Sequence, residues 1–475
     1  MRTNSFILLL LLLLGWGPVR AQKKVRIACV GNSITFGHGL PQREQNSYPA
    51  QLQALLGTGY EVLNFGVSSK TVIRTGADPY MATPQYQEAL QSKPDLVFIK
   101  LGTNDSRLPY RNFIDSFLSD YKTLIQAFRS LPTQPRVVLL LPVASFLQDT
   151  SRQTDAAIRK YILPRIRQVA FTEKLEVIDL YSLTVDQPGL FPDKLHPDTR
   201  GAALIARRLQ EAVLAQEQQG FDIFQKIREP MTITSFRGFD CANFTLNGRS
   251  CKVVRPRRPA PGLPWVWRAR FWGVEPQADV ALLERGFHVV YCDVAELFGN
   301  AEAIDLWDAF YRKMRRAGLA RKACLEGFSR GGVYVYNWAL ANPGKVAAVY
   351  ADAPVLDLKS WPGGKGQGPG SPADWEKFKE HYGFTTDEQA LQFKGNPLDN
   401  AARLAKGGYP MLHVVGDADE VVPVAENTTL FAARVKAAGG QITVIHKAGV
   451  RHHPHSLANP SPIVNFILQA VRKEL

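Results

Sequence analysis

Twice along this chain a serine sits in a glycine-flanked turn between an apolar strand-like run and a helical one. The two turns are Gly31-Asn32-Ser33-Ile34-Thr35 and Gly327-Phe328-Ser329-Arg330-Gly331. A strand that ends in a tight turn and passes straight into a helix opens a parallel βα unit, and such units build a sheet with helices on its faces. The chain has 475 residues, whereas one core rarely grows past roughly 250–300 before the chain splits. Two α/β domains, one around each serine turn, are therefore expected.

The apolar pattern agrees with this. Strand-like runs at Val25–Val30, Glu61–Phe65, Leu96–Leu101, Arg136–Leu141 and Leu175–Ile178 are separated by longer helical stretches, the alternation of a parallel sheet. A helix over Gly201–Gln218, with Leu204, Ile205, Leu209, Val213 and Leu214 on one face, is predicted to end the first domain, and Gly220 to stop it. A second series begins with a strand pair at Thr232–Phe236 and Phe244–Val254. It continues through Trp265–Phe271, Val289–Val294, Lys322–Gly327, Val346–Tyr350, Met411–Val415 and Gln441–His446. Between Pro354 and Tyr409 the run from Trp361 to Gly370 is too rich in Gly and Pro for regular structure, and reads as an insertion above the sheet. The domain boundaries expected are 1–21, 22–219 and 220–475.

Residues 1–21 carry Arg2, the apolar run Phe6–Leu14 and Val19-Arg20-Ala21, the layout of a cleaved export signal. The run is shorter than the ~20 residues of a spanning helix, so a periplasmic or extracellular protein without a membrane span is expected. The absence of Cys at the cleavage point argues against a lipid anchor. The formal charge of +14 falls to +12 once Arg2 and Arg20 are removed. The basic residues are scattered apart from Arg255–Arg258 and Arg312–Arg316, which argues against nucleic acid. Two readings remain, a solvated basic face and an acidic partner such as a uronate-bearing glycan. Export permits disulfides, but a turn at Asn247-Gly248 sets Cys251 opposite Phe244 and leaves Cys241 out of register. No bridge is expected. Cys29, Cys292 and Cys324 read as buried thiols in apolar strands.

A serine hydroxyl becomes a nucleophile only when a base takes its proton, an acid orients that base, and donors meet the developing oxyanion. Around the first turn, Asp193 and His196 lie three residues apart, close enough for one loop to present both. At these residues the chain resembles the SGNH, or GDSL-type, hydrolases. Four blocks match in order: Gly31–Thr35, Gly66 in Asn64-Phe65-Gly66-Val67-Ser68, Asn104 in Gly102-Thr103-Asn104-Asp105, and Asp193 with His196. The resemblance covers residues 25 to about 215. It implies a flavodoxin-like three-layer α/β/α domain, with Ser33 as nucleophile, His196 as base and Asp193 as its acid. The N–H groups of Ser33 and Gly66 and the Asn104 amide would form the oxyanion hole. The family's usual Asp beside the nucleophile is Asn32 here.

Around the second turn, strand, Gly-x-Ser-x-Gly and helix follow in the order a nucleophile elbow requires. Asp419 follows one later strand, and His452-His453-Pro454-His455 the next. From about Phe221 onward the chain resembles the α/β-hydrolases, and their polysaccharide-directed esterases more than their lipases. Ser329 then matches the nucleophile, Asp419 the acid and His452 the base, with Arg330 supplying one oxyanion N–H and a residue after the Trp265–Phe271 strand the other. Asp417 and Asp352 remain rivals to Asp419, and His453 to His452. Arg330 reads equally as a ligand for a uronic-acid ester and as the partner of a local acid. Trp265, Trp267 and Trp272 fit either a sugar platform or the core.

Taken together, these features imply an exported carbohydrate esterase acting on an O-acetylated polysaccharide. Acetylated xylan is the leading substrate, and O-acetylated sialic acid a second. The second domain would cleave an ester on the same glycan, or a uronic-acid ester, or serve as a silent carbohydrate-binding module. Neither resemblance includes a cofactor, and no metal is expected. A lipase would need an apolar lid, which the polar insertion is not. A peptidase of this superfamily would need a propeller or cap for which the chain has no room.

Overall fold

In the computed structural model, which describes residues 23–472, two sheets share the chain. The expected export signal lies outside the described residues. The first sheet is wholly parallel: β1 (Val25–Gly31), β2 (Tyr60–Gly66), β3 (Leu96–Lys100), β4 (Arg136–Leu140) and β5 (Glu176–Ile178), in spatial order β2-β1-β3-β4-β5. Ile27–Val30 of β1 and Leu96–Ile99 of β3 are continuous buried apolar runs because helices cover both faces. This is the flavodoxin-like order, in which the winding direction reverses between β1 and β3 and a crevice opens at the strand ends. Ser33 follows β1 and Asn104 follows β3, so both stand at that crevice.

The second sheet runs β6 (Thr232–Phe236), β7 (Phe239–Leu246), β8 (Arg249–Arg255), β9 (Trp265–Ala269), β10 (His288–Cys292), β11 (Ala323–Phe328), β12 (Val346–Asp352), β13 (Met411–Gly416) and β14 (Ile442–Lys447). Its order is β6-β7-β8-β10-β9-β11-β12-β13-β14, antiparallel from β6 to β10 and parallel from there on. This is an α/β-hydrolase sheet with one extra edge strand. Its core stacks Trp265 and Trp267 on Trp307 and Trp338, with ring centroids 5.6 Å apart within the first pair and 4.4 Å between Trp267 and Trp307. Trp265 and Trp267 are therefore core residues. Trp272 is half-buried and packs on Phe236 and Tyr291.

Three expectations are corrected by packing. The strand expected to begin at Phe244 begins at Phe239, and the turn expected at Asn247-Gly248 divides the Phe244–Val254 run between β7 and β8. Phe244 faces Cys251, and Cys241 faces Val254. The helix expected at Gly201–Gln218 spans Thr199–Leu214, starting one residue past Asp198, whose side chain accepts the Gly201 N–H at 2.8 Å. Its buried face is Ala202, Ile205, Ala206, Leu209 and Ala212, while Leu214 is exposed. Small residues are favoured there because the helix packs closely on the helix Tyr48–Leu56. In the insertion, residues 361–371 are irregular, but the helices Pro372–Tyr382, Asp387–Leu391 and Ala401–Ala405 follow.

Ion pairs cross between the domains. Arg208 of the first domain's last helix holds Glu284 at 2.8 Å, with both side chains at most 5% exposed. The half-exposed Lys174 reaches the buried Asp240, which Arg257 of the second domain also holds. All five cysteines are buried, and none pairs in a disulfide among the described residues. No helix among these residues is long and apolar enough to cross a membrane.

Candidate active sites

Ser33 is the first residue of a one-turn helix (Ser33–Phe36), where a backbone N–H has no partner within the helix. The turn is tight because β1 and β2 end in glycines. A Cβ on Gly31 would lie 2.0 Å from Thr35 Oγ1, and one on Gly66 2.1 Å from the Phe36 nitrogen. Asn32, 1% exposed, caps the helix through Oδ1 to the Ile34 N–H at 3.3 Å. It thereby fills, as an uncharged amide, the position where an Asp was expected.

The loop after β5 delivers the partners. Ser33 Oγ lies 2.8 Å from His196 Nε2, and His196 Nδ1 lies 2.6 Å from Asp193 Oδ2. Asp193 Oδ1 accepts the N–H groups of Leu195 and His196 at 3.0 and 2.7 Å, which fixes the carboxylate's plane. The imidazole's pKa is held below the ordinary histidine range by burial, and the charges of His38 and Lys100 push it the same way against Asp193.

The two other residues expected in the oxyanion hole have partners of their own. Asn104 Nδ2 donates one proton to the Lys70 carbonyl at 2.9 Å, while Oδ1 accepts from Gln153 at 2.8 Å. One amide proton therefore remains for a ligand. The Gly66 N–H is engaged by the exposed Asn64 side chain at 2.9 Å and becomes available only when that side chain turns away.

Sequence reasoning missed Lys100. It ends an otherwise apolar strand, is wholly buried, bonds Thr103 Oγ1 at 3.4 Å, and has its pKa pushed down to about 7 by burial. The visible signal was a lysine closing that apolar run, two residues before Gly102.

In the second domain, β11 runs into the helix Gly331–Ala341 through Ser329, whose φ is +49°. A non-glycine residue in that region is strained, as an elbow serine is. A Cβ on Gly327 would lie 2.6 Å from the Gly331 carbonyl, and one on Gly331 2.9 Å from the Ala269 carbonyl. Both glycines therefore serve the close approach of β11, its helix and the end of β9. Ser329 Oγ lies 3.0 Å from His452 Nε2, and His452 Nδ1 lies 2.7 Å from Asp419 Oδ2. Asp419 Oδ1 accepts the N–H groups of Val421 and Val422, each at 2.9 Å.

The rivals are engaged elsewhere. Asp417 pairs with the exposed His446 at 2.6 Å, and Asp352 with His455 at 2.9 Å, while His453 faces solvent. Arg330 takes the second of its two readings: its guanidinium bonds Asp374 at 3.0 Å and lies over the rings of Trp361 and Phe298. Burial and the neighbouring Arg270 lower its proton affinity. Because β9 stops at Ala269, the residues next to the serine turn are Arg270 and Phe271, both at positive φ.

Residues 29–204 match the GDSL-like Lipase/Acylhydrolase family. That GDSL-like region contains Ser33, Gly66, Asn104, Asp193 and His196. Residues 300–470 match the Prolyl oligopeptidase family and contain Ser329, Arg330, Asp419 and His452. An acetylxylan esterase of Xylanibacter ruminicola is 36% identical over 214 residues, 41% of this chain and 44% of that protein, so the chain spans less than half of that relative's length. Among solved structures, the aryl esterase of M. smegmatis aligns with a TM-score of 0.34 at 21% identity, over 40% of this chain and 98% of that one. Dipeptidyl peptidase 4 of Porphyromonas gingivalis aligns with a TM-score of 0.38 at 17% identity, over 51% and 35%.

Proposed function

We propose that this chain is an exported carbohydrate esterase with two serine-based sites: Ser33, His196 and Asp193 in residues 22–219, and Ser329, His452 and Asp419 in residues 220–475. The observation that carries the proposal is the unbroken line from Ser33 Oγ through His196 to Asp193, at 2.8 and 2.6 Å. His196 takes the hydroxyl proton as Oγ attacks the acyl carbonyl, and returns it to the sugar oxygen that leaves. Water then releases the acid from the acyl-enzyme by the same route. The N–H of Ser33, the spare Asn104 proton and the Gly66 N–H, once Asn64 turns away, receive the oxyanion. The acyl group is acetyl and the carrier a polysaccharide, acetylated xylan first and O-acetylated sialic acid second. The 36% identity to an acetylxylan esterase supports the first choice.

The second site carries the same relay at 3.0 and 2.7 Å, and cleaves another ester of the same glycan. Arg330 there supplies a backbone N–H to the oxyanion, with the N–H of Arg270 or Phe271 as its counterpart. Two sites on one chain raise each other's effective substrate concentration. The match to the Prolyl oligopeptidase family favours one further reading, amide cleavage by the second site.

Acid release from acetylated xylan and from a methyl-esterified uronate polymer, alongside cleavage of peptide amides, tests these readings on the full protein and its Ser33→Ala and Ser329→Ala variants. Acetate release lost in Ser33→Ala supports the first site. Methanol release lost only in Ser329→Ala assigns the second site to uronate esters, and amide cleavage lost there assigns it to peptides. Acetate release that survives both substitutions together overturns the site assignment.

A further inference from the structure

We infer that His452, His453 and His455 form a binding site for a divalent transition ion of the zinc class, and that its occupancy takes His452 away from Ser329. The inference rests on Ser329, His452 and Asp419 being a reactive relay. One ligand atom from each histidine lies within 4.8 Å of the other two. The rings stand edge to face, with centroids 4.6–4.9 Å apart. Zinc–imidazole bonds of about 2.0–2.1 Å set tetrahedral nitrogens roughly 3.4 Å apart, so the triangle must contract by an ångström or so. His453, which faces solvent, can move toward the other two, and His452 closes on His455 by turning off Ser329.

The carboxylates behind the cluster are the second observation. His452 Nδ1 is held by Asp419 at 2.7 Å and His455 Nδ1 by Asp352 at 2.9 Å, both carboxylates being fully buried. A carboxylate on Nδ1 fixes the tautomer that leaves Nε2 a lone pair, which is how metal-binding histidines are oriented. Imidazole donors suit zinc, copper and nickel and disfavour calcium or magnesium. The lone pair of His452 Nε2 cannot serve both the ion and the Ser329 hydroxyl 3.0 Å away. Loading the site therefore removes the base.

The test uses full-length Ser33→Ala protein, stripped with chelator, so that only Ser329 reacts with a fluorophosphonate probe. Calorimetry with zinc alone is expected to give one ion per chain, and His453→Ala to weaken binding at least about tenfold, the lower end of the loss seen when a metal site's supporting residues are removed. The ratio of labelling rates without and with zinc should be large in the parent and approach one, at the same zinc concentration, in His453→Ala. Zinc binding that ignores His453, or labelling of Ser329 unchanged at saturating zinc, overturns the inference. Absence of labelling without zinc would instead sink the reading of Ser329 as a nucleophile, while the calorimetry still decides the metal site.

Discussion

Replacing each acid of the two relays by its amide, Asp193→Asn and Asp419→Asn, is a demanding test because the structure dictates which way the amide turns. In both sites one carboxylate oxygen accepts two backbone N–H groups and the other accepts the histidine Nδ1–H. An asparagine that keeps its oxygen on the backbone donors retains two hydrogen bonds and sets its NH₂ against Nδ1. The reverse orientation leaves two N–H donors facing an NH₂, at a cost of about 1–3 kcal/mol for each unmet group at the buried Asp419 and less at Asp193, whose side chain is 53% exposed. The first orientation wins, and it forces the proton onto Nε2, which then faces serine as a donor and is useless as a base. The same exchange in a Ser-His-Asp enzyme lowers kcat by about 10⁴, or about 5.4 kcal/mol of barrier. The assay is the rate of fluorophosphonate labelling, each site read in a background where the other serine is alanine. A loss under about tenfold at either site would refute the tautomer argument. A larger loss from Asp417→Asn than from Asp419→Asn would show that the wrong acid had been assigned.

Four further outcomes follow from the same geometry. Gly66→Ala drives a Cβ to within 2.1 Å of the Phe36 nitrogen, so overpacking should cost about 1–3 kcal/mol; denaturant melts should show it, with Ser33 labelling falling while Ser329 labelling persists. Because His196 must be neutral to act as base and its pKa is held below 6.5, the acid limb of Ser33-dependent hydrolysis should have its midpoint below pH 6.5. Lys100→Met removes a charge that disfavours the imidazolium and should move that midpoint upward, so a downward shift in the pH–rate profile would count against the buried lysine's role. Arg208→Met leaves Glu284, 2% exposed at the domain seam, with its ion-pair partner gone and should destabilise the protein by about 3–5 kcal/mol, a loss that Arg208→Met with Glu284→Leu restores only in part, because the Asp179 N–H then loses its acceptor.

Most of what positions the two serines was legible because local chemistry dictates it. A short apolar run between helical stretches reads as a buried parallel strand, and a Gly-flanked serine between such a run and a helix as a tight βα turn. The register of β7 and β8 followed from Asn247-Gly248 alone, down to Phe244 facing Cys251. What sequence left hidden depended on contacts between distant segments. The apolar residues predicted for the helix at Thr199 were read by hydropathy, whereas its packed face is chosen by closeness to a neighbouring helix and so uses alanines. The burial of Lys100 was hidden because a lysine at a strand end ordinarily reaches solvent, whereas this one is wholly buried and bonds Thr103.

The choice among Asp352, Asp417 and Asp419 shows where such ambiguity is resolved. Asp352 ends β12, and Asp417 and Asp419 both follow β13 in the same sheet, so position along the chain ranks them poorly. Their donors separate them. Asp352 has one oxygen on His455 and the other on the Ser456 N–H and the Tyr350 hydroxyl, at 2.9, 2.9 and 3.1 Å. Turning it toward His452 would leave buried donors unmet. Asp417 and its partner His446 are both solvent-exposed, where a charge pair is screened and weakly oriented. Asp419 alone combines a buried carboxylate, two backbone donors that fix its plane and a free oxygen 2.7 Å from His452. Burial makes that oxygen's charge count for more as the imidazole becomes positive, which is what the transition state requires of it. The same packing gives Asp352 a second oriented histidine beside the first, so the arrangement that favours Asp419 as the acid of the proposed relay also creates the cluster at which an ion would compete with it.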